Sequence, residues 1–190
     1  MNIITSAFPQ RRMRRMRKHE FSRRLMSENT LTVNDLIYPM FIEDGENVKT
    51  EITSLPSNYR WSLDTILPEI ESCVKLGLDK FVLFPAVNDD LKDKYASYSY
   101  ADDNFYLKAI ERIKKEFPSI SLMSDVAMDP YSIDGHDGLV ENGAILNDET
   151  LPILAKMAIA QAQAGIDIIG PSDMMDGRIG YLRESLDAKH

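Results

Sequence analysis

The sequence lacks long apolar runs and has a single cysteine, and both features narrow the class of protein. Its apolar stretches are far shorter than the roughly 20 residues that span a bilayer, and no apolar core of a secretory signal is seen near the N-terminus. We therefore expect a cytoplasmic protein with no membrane partner. Cys73 cannot form a disulfide within the chain, and it lies among the apolar positions of a predicted helix, so we expect a buried thiol.

Acidic residues dominate the chain outside its first 24 residues. That first segment holds eight of the 22 basic residues and one acid, Glu20, whereas the rest holds 14 basic residues against 29 acids. An acidic body argues against a nucleic-acid partner. The basic N-terminal arm needs a separate explanation. A nucleic-acid tail, an organellar transit peptide and a contact with another subunit are the alternatives.

Four short apolar runs predict strands, and turn or polar residues follow each of them: 36–42, 80–84, 120–126 and 166–170. Apolar residues then recur at helical spacing in four stripes that begin at Leu63, Leu107, Leu151 and near Arg178. Because the strands show no clean alternation, we expect both of their faces to be covered. Repeated βα units with a parallel sheet are therefore predicted.

Four βα units fit two architectures. One is a complete, small, doubly wound domain, and the other is the first part of an eight-unit βα barrel, which typically takes about 250 residues. The first strand is not followed by a glycine-rich phosphate loop such as GxGxxG, which weakens the case for a doubly wound domain that binds a phosphorylated ligand. Periodicity alone does not choose between the two.

The densest polar clusters follow the third and fourth predicted strands. The stretch SDVAMDPYSIDGHDG, residues 124–138, contains Asp125, Asp129, His136 and Asp137, and the stretch PSDMMDGR contains Ser172, Asp173, Asp176 and Arg178. Because loops at the carboxyl ends of parallel strands converge, we expect the two clusters to face each other. A solvated turn, a cation site and an acid–base site are the three interpretations of the first cluster.

Physical chemistry ranks these interpretations without deciding among them. A carboxylate at a strand end is half-buried, so Asp125 and Asp173 are expected to face an arginine, a metal ion or a substrate amine. Oxygen ligands suit Mg²⁺, whereas a tight zinc site needs thiolate or imidazole, and the first loop offers only His136. Gly135 and Gly138 flank that histidine, which indicates a tight turn that the ring braces.

Taken together, these motifs resemble the porphobilinogen synthase family, also called δ-aminolevulinic acid dehydratase. The resemblance rests on SDVAMDPYSIDGHDG, AKMAIAQAQAGIDI and GPSDMMDGRIGYLRESLDA, and it extends back through KFVLFP and LTVNDLIYPMFIEDG to RRMRRMRKHEFSRRL. It implies a (β/α)8 TIM barrel, of which residues 31–190 are the first part, an incomplete barrel of about four βα units. It also implies that residues 1–30 are an extended arm that embraces a neighbouring subunit of a homo-oligomer.

The resemblance implies a lyase of tetrapyrrole and haem biosynthesis that condenses two molecules of 5-aminolevulinate to porphobilinogen with loss of two waters. Asp125, Ser172 and Asp173 match residues that line the family's substrate pocket, where a carboxylate can steer or deprotonate a substrate amine. Three further residues are expected to support the substrate loops: His136, Asp176 and Arg178.

The resemblance also bears on metals. Zinc-dependent members of the family place three cysteines where this sequence has Ala127, Asp129 and Asp137. Hard oxygen replaces soft sulfur at two of these positions, so we do not expect zinc. Asp129 and Asp137 are instead candidate ligands of a possible regulatory Mg²⁺.

The family uses two lysines that form Schiff bases with the substrate ketones. The resemblance places them in later segments, one in a motif like YSAKYAS, which this sequence does not contain. The chain's own lysines are predicted in helices (Lys75, Lys108, Lys114, Lys115 and Lys156), at the start of a strand (Lys80) or in loops (Lys49, Lys92 and Lys94). We therefore expect the chain to be inactive alone. A non-catalytic half-barrel that assembles with other chains and a self-contained ligand-binding domain are the alternatives.

Overall fold

The chain divides into two compact units, Met1–Asp35 and Leu36–His190. A computed structural model describes residues 7–189. No helix among them is both long and apolar enough to cross a membrane.

The described part of the N-terminal unit, residues 7–35, has one short α-helix and two 3-10 turns. Helix α1 spans Glu20–Leu25, and 3-10 turns lie at Met13–Arg17 and Val33–Asp35. None of these three elements buries a side chain. Within α1, Glu20 and Arg24 pair across one helical turn at 2.8 Å, an exposed contact of the kind that adds only a few tenths of a kcal/mol.

The second unit is built on a six-stranded sheet with a separate small hairpin. The strands are β1 (Tyr38–Glu43), β2 (Lys49–Glu51), β3 (Tyr59–Trp61), β4 (Lys80–Ala86), β5 (Ser121–Val126), β6 (Val140–Glu141), β7 (Ala144–Ile145) and β8 (Ile168–Pro171). The order across the sheet is β2-β3-β1-β4-β5-β8, and every neighbouring pair is parallel except β2 with β3. The prediction of an α/β protein with a mainly parallel sheet is confirmed.

The four predicted strands are present with small shifts at their ends. The first begins at Tyr38 instead of residue 36, and the last covers Ile168–Pro171 instead of 166–170. Strands β2 and β3 and the hairpin of β6 and β7 were not predicted, because two or three residues are too few to show a period. Lys49, expected in a loop, lies in β2, where its Nζ stands 4.4 Å from the centre of the Trp61 ring.

Four helices follow the predicted stripes: α2 (Leu63–Lys75), α3 (Phe105–Glu116), α4 (Asn147–Gln163) and α5 (Arg178–Asp187). Helix α2 begins directly after Ser62, as predicted, and accommodates Pro68 in its second turn. Helix α3 is capped by Asn104, whose Oδ1 accepts the backbone N–H of Tyr106 at 2.7 Å. Cys73, near the end of α2, is a half-buried free thiol.

The buried strand side chains share one face of the sheet, and the helices cover that face. These side chains are Met40, Ile42, Phe81, Leu83, Leu122, Ser124 and Val126. They pack with the buried stripes of α2, α3 and α4 in two apolar clusters. Side chains at the alternate positions, such as Phe41, Phe84 and Asp125, are only half-buried. The expectation that both faces are covered is therefore wrong for the described residues, and we call the second face the open face.

Candidate active site

The carboxyl end of β5 places Asp125 on the open face, beside the end of β8. Asp125 pairs with Gly170 in the parallel register of the two strands. A Cβ at Gly170 would lie 2.9 Å from the backbone oxygen of Ser124, so only glycine allows the strands to approach this closely. Two residues later, the hydroxyl of Ser172 lies close enough to the Asp125 carboxylate to oppose the rise in its pKa that burial causes. The two predicted clusters therefore meet at Asp125 and Ser172.

The environment of Asp125 makes its carboxylate a weaker acid. Burial raises the pKa of Asp125, the nearby Ser172 hydroxyl opposes this rise, and the negative charge of Asp137 adds to it. A carboxylate whose pKa is moved toward neutrality is a better proton acceptor at physiological pH than an exposed one. This group can therefore orient an amine or take a proton from it.

Asp137 is the common source of repulsion in the cluster. Its charge raises the pKa of Asp125, Asp129 and Asp173, in each case after the larger effect of burial. At Asp129 the charge of Lys92 acts in the opposite direction. Four carboxylates thus lie within electrostatic reach of one another at the carboxyl ends of β5 and β8, and a cation or an amine placed there would be attracted.

Asp173 is the most deeply buried acid of the cluster, with its carboxylate wholly removed from solvent. Its Oδ1 accepts the backbone N–H of Met175 at 2.8 Å, and its Oδ2 lies 3.5 Å from Nε of Arg178. Burial raises the pKa of Asp173, and the Met175 N–H and the Arg178 charge both oppose the rise. Arg178 Nη1 also donates to the Met175 carbonyl at 3.0 Å. The pair therefore folds the loop after β8 onto the start of α5.

His136 acts within its own loop. Its Nδ1 accepts the backbone N–H of Gly138 at 3.1 Å, which braces the turn between them. A Cβ at Gly138 would stand 2.8 Å from the Cε of Met175 and 3.0 Å from a methyl group of Ile145. The lack of a side chain at Gly138 lets the loop that carries Asp137 pack directly against the loop after β8.

The loop after β8 is also tied to the start of α4. Asn147 accepts the backbone N–H of Asp176 at 2.7 Å and donates to the Asp176 carbonyl at 3.2 Å. The side chain of Asp176 itself is exposed. Its role in this structure therefore lies in its backbone.

The acids of the cluster are not arranged as a coordination site for a metal ion within the described residues. Among residues 7–189, no three or more His, Cys, Asp or Glu side chains are grouped so that they could hold one. The donor set at Asp129 and Asp137 consists of carboxylate oxygens, which suit a hard ion that keeps much of its water, such as Mg²⁺.

Comparisons with known proteins show the family to which the chain belongs. The family model for delta-aminolevulinic acid dehydratase matches residues 10–190. The dehydratase of Chlamydia pneumoniae is 50% identical over 177 residues, which are 93% of this chain and 53% of that protein. The one from Bradyrhizobium diazoefficiens is 48% identical over 176 residues, covering 93% and 50%. The chain belongs to the delta-aminolevulinic acid dehydratase family.

A solved dehydratase has the same fold over nearly all of this chain. The enzyme of Toxoplasma gondii ME49, in complex with the reaction product porphobilinogen, superposes with a TM-score of 0.91 at 44% identity. The match covers 95% of this chain and 51% of the Toxoplasma chain. The chain thus spans about half the length of the relatives that it matches.

Most lysines of the second unit lie in elements away from the acid cluster, and Lys92 is an exception. Five lie in α2, α3 and α4, and Lys80 is the first residue of β4, at the opposite end from the cluster. Lys92 follows β4 and pairs with Asp89 at 2.8 Å, and its charge opposes the rise in the pKa of Asp129 that burial causes. Lys94 lies 3.5 Å from Glu141.

Sequence reasoning missed three residues that form hydrogen bonds beside the acid cluster: Tyr106, Asn147 and Gln161. Tyr106 and Gln161 are fully buried and bond the sheet near Asp125. A signal for Gln161 was present, since it lies seven residues after Leu154, on the apolar stripe of α4. A polar side chain on a buried stripe requires a partner. Asn147 offered no comparable signal, because polar residues are common at helix starts.

Proposed function

We propose that the complete gene product containing this chain condenses two 5-aminolevulinate molecules to porphobilinogen with loss of two waters, and that Asp125, Ser172 and Asp173 form part of its substrate pocket. The observation that carries the proposal is the contact of Asp125 with Ser172 at the strand ends of a chain that belongs to this family. The solved relative with bound porphobilinogen supports the same reaction.

In this proposal the carboxylate of Asp125 acts on a substrate amine. Its raised pKa matches a group that accepts a proton from an ammonium and so frees the amine as a nucleophile. The hydroxyl of Ser172 lies close to the carboxylate, and the Asp173–Arg178 pair fixes the loop that carries Ser172. The Schiff-base lysines of the family are assigned by resemblance to segments other than those matched here, so this chain supplies the acidic side of the pocket.

We further propose that the open face is the inner wall of a (β/α)8 barrel and that residues 31–190 provide about four of its units. The helices cover a single face, whereas a doubly wound sheet carries helices on both. Phe41 and Phe84 stack on the open face with ring centres 5.5 Å apart, as side chains of a filled barrel interior do. Within the described residues, β8 pairs only with β5, which leaves one edge for a further strand.

The N-terminal arm is proposed to contact another copy of the chain in a homo-oligomer. Six large apolar side chains of its described part are exposed: Phe8, Met13, Met16, Phe21, Leu25 and Met26. Their exposure together with the basic charge suits a surface of the acidic second unit of another copy. Deleting residues 1–30 should reduce the mass of the oligomer measured by light scattering. The proposal would be contradicted by an unchanged number of copies in the oligomer or by binding of the intact arm to nucleic acid.

A regulatory Mg²⁺ near Asp129 and Asp137 remains a proposal, and no step above depends on it. An ion that keeps most of its water and binds one or two carboxylates is compatible with the donor set. The test is a titration with MgCl2 that follows the NMR signals of both carboxylates, with Asp129→Asn as the comparison. Cytoplasmic location is likewise proposed, and imaging of a fluorescent fusion tests it.

The activity test uses the complete gene product and measures porphobilinogen formed from 5-aminolevulinate. Asp125→Asn keeps the shape of the side chain and removes the proton acceptor, so we expect turnover to fall by about 10²-fold, within the range of general-base effects. The matched control is Asp134→Asn, an exposed aspartate of the same loop, which should leave turnover unchanged. No porphobilinogen from the wild type would refute the proposed function, and equal turnover in both variants would refute the role of Asp125.

A further inference from the structure

The hydrogen-bond ladder between β4 and β5 stops where β4 has a proline. The two strands pair from Lys80 with Ser121 to Leu83 with Ser124. In a parallel ladder, the carbonyl of the next residue of β5, Asp125, would accept the N–H of Pro85, and proline has none. Since an unpaired backbone group away from water is costly, this carbonyl needs a donor from elsewhere.

Gln161 of α4 supplies that donor. Its Nε2 donates to the Asp125 carbonyl at 2.8 Å, and its Oε1 accepts the hydroxyl of Ser124 at 2.6 Å. Both Gln161 and Ser124 are completely buried. Because each end of the side-chain amide has its own partner, the amide is held in one orientation.

Tyr106 of α3 contacts the backbone beside Asp125 from the other covering helix. Its buried hydroxyl donates to the Leu83 carbonyl at 2.8 Å. The backbone N–H of Asp125 approaches the phenol oxygen and opposes the large rise in the pKa of Tyr106 that burial causes. Two helices therefore contact the backbone of Asp125 on the covered side, while its carboxylate meets Ser172 on the open face.

We propose that Gln161 is a positioning residue that fixes the Asp125 peptide and thereby sets the Asp125 carboxylate against Ser172. The inference deepens the proposed function and rests on it for its catalytic consequence. Gln161 does not reach the open face, so it acts only through Asp125. Small displacements of a reacting group lower turnover strongly, which is why support of this kind matters at a site.

The test replaces Gln161 by methionine in the complete gene product, which keeps the length of the side chain and removes the donor. Two readouts are compared: the titration of the Asp125 carboxyl carbon by NMR, assigned by its loss in Asp125→Asn, and the separate values of kcat and KM. We expect the midpoint of Asp125 to move to higher pH, because a displaced carboxylate loses the nearby Ser172 hydroxyl that opposes the rise in its pKa. We also expect kcat to fall about tenfold with little change in KM.

Two controls separate positioning from general loss of stability. The first control, Gln163→Met, is the same substitution at an exposed position of α4. The second control, Ser62→Ala, removes a buried hydroxyl that accepts the Val48 N–H at 2.9 Å, next to β3, which two strands separate from β5 in the sheet. Both should leave the Asp125 midpoint and kcat unchanged. If Gln161→Met lowers stability as Ser62→Ala does but moves neither readout, Gln161 merely satisfies a carbonyl and the inference is refuted. If the wild type makes no porphobilinogen, the proposed function fails, and the titration still decides whether Gln161 positions Asp125.

Discussion

The pair of Asp173 and Arg178 allows a sharp test of the electrostatics at the site. We consider Arg178→Met, which keeps most of the packing of the stem but removes the charge that faces Asp173 Oδ2 at 3.5 Å. With an effective dielectric constant of about 20, two unit charges at that distance attract by about 5 kcal/mol before desolvation is counted. The carboxylate is fully buried, whereas 31% of the arginine side chain is exposed, so part of this attraction is screened.

The expected loss in the free energy of unfolding at pH 7.5 is about 3 kcal/mol, of which about 1 kcal/mol is the hydrogen bond from Arg178 to the Met175 carbonyl. Burial already raises the pKa of Asp173 in the folded protein, and loss of the arginine raises it further. The folded variant therefore holds its proton to higher pH than the wild type. The destabilisation should be largest above both folded pKa values and should shrink as the pH is lowered through them.

The assay is urea unfolding of the complete gene product at several pH values between 7.5 and 5. Arg183→Met on the same helix is the control, because Arg183 pairs with Asp187 at 3.1 Å in an exposed contact, 63% and 66% accessible, which should contribute less than about 0.5 kcal/mol. A loss at Arg178 that equals the control, or that does not change with pH, would show that the Asp173 carboxylate does not depend on this arginine.

Two further predictions concern the same strand ends. Asp137→Asn removes a repulsive charge, so the pKa of Asp125 should fall and the free energy of unfolding at neutral pH should rise. A carboxyl NMR titration measures the first effect and urea unfolding the second. An unmoved Asp125 midpoint would contradict the repulsion between Asp137 and Asp125. Gly170→Ala places a methyl group 2.9 Å from the Ser124 backbone oxygen and should cost about 1–3 kcal/mol in urea unfolding. By contrast, Gly180→Ala in open space on α5 should stabilise by about 0.5–1 kcal/mol, and equal effects at the two glycines would refute the packing argument.

The fold was predictable wherever an element was long enough to show its period. The apolar runs that became β4 and β5 and the stripes of α2 to α4 were visible in the sequence and are present within two to four residues. The bare open face was not predictable, because Phe41 and Phe84 are as apolar as the side chains on the covered face. The local sequence indicates which residues are apolar, but it does not indicate which helix or strand covers them.

The sequence predicted the acidic and hydroxyl residues of the candidate site, but it did not predict the buried residues that hydrogen-bond to their backbone. Strand-end chemistry pointed to Asp125, Ser172 and Asp173, since parallel strands bring their carboxyl ends together. The bond of Gln161 to the Asp125 carbonyl depends on the proline of β4, 76 residues earlier in the chain. Such a contact follows from the register between β4 and β5, which no local sequence pattern predicts.

The double hydrogen bond between Asn147 and the Asp176 backbone closes a ring in the chain. It joins the first residue of α4 to the loop after β8, so hydrogen bonds connect the two ends of the segment from α4 through β8. Extra residues inserted between β6 and β7 would lie outside this ring and should be tolerated as ordinary surface variation. An insertion of even one residue between Pro171 and Asp176 would break the ring, so the length of that short loop should be far less free to vary.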